Sequence, residues 1–140
     1  MAHVILWPGF ALAGLTFLVW FRLYYERVAE MKAKRVHPQK VATRAEAAKL
    51  LGNTQALDHY ANLFEAPVLF YFAIGAAAIA KLDTTYLLPL AWTFVGLRAV
   101  HAIVHLTYNK VMHRFYAFFA GSVCLWVLIA RTAWQLGQGA

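Results

Sequence analysis

Cysteine and acidic side chains are what this chain has least of: one Cys and six Asp plus Glu in 140 residues. Cys124 has no intramolecular partner, so a disulfide scaffold is excluded. Charged residues of both signs make up only 14%, against about 25% in soluble domains. Hydrophobic residues reach 62%, and intrinsic disorder, whose condition is low hydrophobicity, is excluded with it. There is no P-loop, no GxGxxG, no Ser/His/Asp arrangement, no repeat and no low-complexity segment. The length allows one domain.

What the chain has instead is apolar runs of membrane length. A span needs roughly 20 mostly apolar residues to cross about 30 Å of hydrocarbon. His3 to Tyr25, His59 to Ala80, Tyr86 to Tyr108 and Phe115 to Trp134 each meet that length. The first run lacks the basic flank of a cleaved leader and carries Trp7, Trp20, Tyr24 and Tyr25 as interfacial anchors, so a retained span is expected. The fold expected is all-α: one integral membrane domain, a four-helix up-down bundle with a long polar loop at about 26–57. Within that loop Thr43 and Glu46 have capping-box spacing, which predicts a short helix ending at Gly52, with a restart at Gly52-Asn53-Thr54.

Ten Lys and Arg fall in the first and third connections, among them Arg22, Arg27, Lys110 and Arg114; only Lys81 and Arg131 lie on the opposite side. Both termini are therefore expected outside and the basic loops in the cytoplasm. Topology and attraction to anionic lipid account for the net charge of +7, and no nucleic-acid partner is implied.

Ionisable side chains inside spans are costly and mark polar interiors. On the second span Asp58, Asn62 and Glu65 stand at i, i+4 and i+7; on the third, Arg98, His101 and His105 stand at i, i+3 and i+7. Two such stripes are expected to face each other or a shared cleft. The plain alternative is interhelical glue, with Glu65 paired to Arg98. Pro67 predicts a bend near Glu65. His101 and His105 at i, i+4 raise a metal, which Asp58, Glu65 or His59 would complete. No HExxH or ExxH is present and the Arg98 cation sits beside the pair, so no metal is expected. Cys124, in an uncharged run, reads as a small packing residue.

The run Asn62-Leu-Phe-Glu65-Ala-Pro67, followed by Arg98-Ala-Val-His101-Ala-Ile-Val-His105-Leu-Thr-Tyr108-Asn109 and by Arg114, resembles the MAPEG family, the membrane-associated proteins of eicosanoid and glutathione metabolism, and its bacterial members most. The resemblance spans essentially the whole chain. It implies a homotrimer with glutathione, the thiol co-substrate, bound between protomers on the cytoplasmic side of a bacterial inner membrane. It assigns glutathione contacts to Asn62, Glu65 and His101, thiol activation to Arg114, and a further contact to Arg22 or Arg27; Arg98, His105 and Tyr108 belong to the same candidate set. This chain departs from the family where Asp58 replaces an Arg, His105 a Tyr, Phe115 a Ser and Phe118 a Tyr. Losing a cation and gaining an anion weakens the attraction for an anionic tripeptide. Tyr108 or Tyr116 is the candidate replacement phenol.

The chemistry follows from the side chains. A free thiol titrates near 8.5 and only its thiolate is nucleophilic. Arginine stays cationic and stabilises a thiolate without losing a proton. The activity implied is a membrane-bound glutathione-dependent transferase or peroxidase for lipophilic electrophiles arriving through the bilayer. Two further readings stay open: a noncatalytic member of the fold that binds lipid or partners, and a metal or haem protein built on His101 and His105.

Overall fold

A computed structural model describes residues 2–52 and 55–138. A 3-10 turn at Ala2–Leu6 leads into α1, Trp7–Ala33; a second 3-10 turn at Pro38–Val41 precedes α2, Arg44–Leu50. Then come α3, Gln55–Asn62; α4, Ala66–Ile79; α5, Leu87–Leu106; and α6, Val111–Gln138. The described residues contain no strand. His3–Ala33, Asp58–Ile79, Leu87–Leu106 and Val111–Gln138 are long and apolar enough to cross a membrane, α3 and α4 together forming the second. The chain is an all-helical, integral membrane four-helix bundle. Helix α1 continues past Tyr25 into the basic segment, and α6 begins at Val111, ahead of Phe115.

Pairing within the bundle is uneven. Helices α5 and α6 share the longest interface, α4 lies against α6 and the N-terminal turn, and α1 runs beside α3 and α5. Ile5, Leu12, Phe70, Phe94, Leu125 and Leu128 form the centre of the core, with Phe70 stacked on Phe94 at 4.7 Å between ring centroids. Gly9 lets α1 approach α4, because a Cβ there would stand 2.7 Å from Ile74 Cδ1. The outer faces are as apolar as the core: Phe72 is 72% and Ile79 86% exposed, as lipid-facing positions are.

Two helix ends share a signature that the sequence hides. Arg35 and Lys81 adopt positive φ, 52° and 53°. Val36 N–H donates to Met31 O and Leu82 N–H to Ala77 O, each closing the last turn in the six-to-one pattern that usually has glycine at its turning point. Helix α2 has the expected capping box in both directions: Thr43 Oγ1 accepts from Glu46 N–H, and Thr43 N–H donates to Glu46 Oε2. It ends at Leu50, short of Gly52. Of the expected restart, Asn53 and Thr54 lie outside the described residues.

The second span is broken outright. Helix α3 closes in a tight turn, with Phe64 N–H donating to Ala61 O, and Glu65 takes an irregular conformation (φ −92°, ψ −101°) before α4 starts. Pro67 thereby sits in the first turn of a new helix, where its missing N–H costs nothing, rather than inside a bent one.

Candidate functional site

At the end of the bundle where α3 and α6 begin and α5 finishes, a cavity of about 400 Å³ opens to the outside. Asp58, Asn62, His101, His105, Val111, Arg114, Phe115 and Phe118 line it. That volume lies within the ordinary range for a small-molecule site. Helix α3 brings Asp58 and Asn62, one turn apart; α5 brings His101 and His105, also one turn apart; and the first turns of α6 bring the rest.

Arg114 is tied down from two directions. Its Nη1 donates to Asn109 Oδ1 at 3.0 Å, and its backbone oxygen accepts from His101 Nδ1 at 3.1 Å. A carbonyl can only accept, so Nδ1 of His101 carries the proton and Nε2 keeps the lone pair. Asn109, at φ 46°, closes the end of α5 by donating its N–H to Val104 O. One residue therefore both terminates a helix and aims the cavity's arginine.

Arg98 behaves differently from the expectation of an ion pair. It is 1% exposed, and among the described residues its three guanidinium nitrogens have no hydrogen-bond partner and no ion pair with Glu65. Its charge rests on two aromatic faces, Phe94 at 5.2 Å and Phe118 at 5.3 Å. The break at Leu63–Glu65 explains the missing pair: Glu65 is released from the α3 face that Asp58 and Asn62 share, and is exposed.

The remaining candidates lie away from the cavity of their own chain. Arg22 is exposed and its Nε pairs with Glu26 Oε1 at 2.7 Å; Arg27, further along α1, is half-buried. Tyr108 is exposed, with its hydroxyl 3.1 Å from His113 Nδ1, and Tyr116 is exposed as well. Cys124 donates Sγ–H to Leu90 O between α6 and α5, a packing role.

One residue emerges that the sequence named only in passing. His59 is completely buried, its Nδ1 is 3.1 Å from His105 Nδ1, and its ring stacks on His101 at 5.2 Å. The only signal was its position next to Asp58, and that pointed elsewhere: consecutive residues sit 100° apart on a helix.

Fold and cavity together define a four-helix integral membrane protein with a site lined by arginine, aspartate and histidines at one end of the bundle. The MAPEG family model matches residues 5–134, nearly the full length, and the chain belongs to the MAPEG family. No curated protein and no solved structure matches it.

Proposed function

We propose that the protein is a membrane-bound, glutathione-dependent transferase or peroxidase that uses Arg114 to stabilise the thiolate and attacks lipophilic electrophiles. The observation that carries this reading is the convergence of Arg114, Asn62, His101 and His105 on one cavity at the membrane boundary. A water-soluble thiol enters such a cavity from the polar side, and an apolar electrophile approaches along the exposed aromatic faces of α6, where Phe115 and Phe119 lie. Lowering a thiol pKa by about two units corresponds to roughly 2.7 kcal/mol, within reach of one guanidinium in a partly desolvated site. Arg22 and Arg27, which do not line the cavity of their own chain, fit contact with the thiol's carboxylates from a neighbouring protomer of a homotrimer. The ten-to-two Lys and Arg asymmetry supports a cytoplasmic cavity mouth in a bacterial inner membrane.

The test is thiolate absorbance on adding glutathione, together with conjugation of an aryl halide. Arg114→Ala and Arg114→Lys are expected to insert normally and to lose about 10²-fold in conjugation rate, the order lost with one stabilising donor. Lys fails because a mobile ammonium does not replace a guanidinium held by Asn109. Full activity in Arg114→Ala sinks the assignment. Asp58 on the cavity wall favours a second reading, a noncatalytic member binding lipid or a partner, since it opposes an anionic tripeptide. No thiolate signal from the intact wild-type protein is the outcome that reading expects.

A further inference from the structure

We propose that His59, His101 and His105 form a three-histidine site for a divalent first-row transition metal such as zinc, cobalt or copper. This goes beyond the thiol reading and stands whether or not a thiol enters the cavity. One ring nitrogen from each histidine lies within 4.8 Å of the other two, and all three residues are buried, at 0%, 2% and 3% exposure. Tetrahedral coordination at about 2.0–2.1 Å puts two ligand nitrogens about 3.3 Å apart. The two Nδ1 atoms of His59 and His105, at 3.1 Å, already have nearly that spacing. Closing the widest pair takes a shift of at most about 1.5 Å, the scale of a ring rotation.

Two further observations point to a ligand rather than to packing. His101 donates its Nδ1 proton to the Arg114 carbonyl, and its Nε2 lone pair is buried without a partner. A backbone carbonyl that fixes the tautomer and presents the other nitrogen is the usual outer support of a metal-bound imidazole. Among the described residues His59 has another histidine as its polar partner and its Nε2 has none, which makes it a poor structural residue in an apolar bundle.

Neutral imidazoles suit zinc, copper, cobalt and nickel, whereas calcium and magnesium take oxygen. Three protein ligands leave a fourth position, and His101 and His105 both face the cavity, so that position is reached from there. The sequence arguments against a metal were the missing HExxH and ExxH and the Arg98 cation; in the fold that guanidinium lies over the Phe94 and Phe118 rings, and its charge still reaches His59 and His101. Asp58 on the cavity wall offsets the positive charge of the ion and of Arg114.

The full-length protein, purified in detergent through a histidine-free tag and stripped with chelator, is mixed with Co(II) and gel-filtered. One cobalt per chain is expected to be retained, with the intense visible bands of a four-coordinate ion. His59→Gln and His105→Gln are expected to weaken retention by more than the roughly 10–100-fold typical of losing an outer support. His37→Gln and His113→Gln, at exposed positions, keep it. Arg114→Ala also keeps cobalt, because the supporting carbonyl belongs to the backbone; metal binding is thereby separated from thiol activation. Failure of the wild-type protein to hold cobalt, or retention unchanged in His59→Gln and His105→Gln, overturns the site. The wild-type measurement decides even where a variant does not fold.

Discussion

The two ends of this bundle are built on opposite principles. Around Phe70, Phe94, Leu125 and Leu128, apolar side chains interlock and carry no polar atom needing a partner. Around His59, Arg98, His101 and His105, equally buried side chains hold five nitrogens without a hydrogen bond among the described residues. Buried polar atoms in that condition cost free energy. The first region therefore adds to the stability of the fold, and the second subtracts from it.

That contrast can be broken most forcefully at the core. Phe70→Ala removes the ring stacked on Phe94 and is expected to cost about 3–5 kcal/mol, read from thermal unfolding in detergent. The polar end should respond with the opposite sign. Arg98→Met takes away a buried cation that has ring contacts and, among the described residues, no hydrogen bond, and stability is expected to hold or rise by about 1–3 kcal/mol in the same assay. A loss of several kcal/mol in Arg98→Met would mean that the polar end is structural too. In the loop between the spans, Thr43→Ala deletes the hydroxyl that accepts from Glu46 N–H and keeps the backbone N–H that donates to Glu46, and amide exchange in α2 is expected to speed up by about 1 kcal/mol of lost protection.

The smallest effect lies in the turn between α4 and α5. Asp83 Oδ1 accepts from the Thr85 hydroxyl and N–H, at 2.7 and 3.0 Å, and these bonds hold its carboxyl below the ordinary carboxylate pKa. A depressed carboxylate favours the folded turn once ionised. That contribution is complete above the unfolded value of about 3.9 and is lost as pH falls through the lower folded one. An NMR titration of Asp83 should show the depression, and Thr85→Val should move it back up. An ordinary Asp83 pKa in the wild-type protein would remove this contribution.

Much of this architecture was legible from residue order, and what escaped did so for physical reasons. Span number and the α2 capping box follow from local composition and spacing, and both stand in the structure. That Asn62 and His101 share a cavity was legible because helical periodicity puts both on inward stripes; the same stripes also put Glu65 and Arg98 there, and neither lines it. The helix ends at Arg35 and Lys81 were not, because neither is the glycine that usually marks a left-handed cap. Glu65 was misplaced because periodicity was carried across Leu63–Glu65, where the helix stops. His59 was named only as one of three residues that would complete a metal, for the converse reason: three-dimensional pairing is what brings it beside His105, 46 positions away.

The interruption at Leu63–Glu65 also bears on how this protein can change over time. In an uninterrupted span every side chain is locked to the same angular phase, so turning one cavity residue turns the core residues beyond it. Here the phase is reset between α3 and α4. Asp58, His59 and Asn62 take their direction from α3, whereas Pro67, Phe70 and Ala73 take theirs from α4. A substitution that re-aims the cavity wall on α3 is thereby not carried along one continuous helix into the packing of α4.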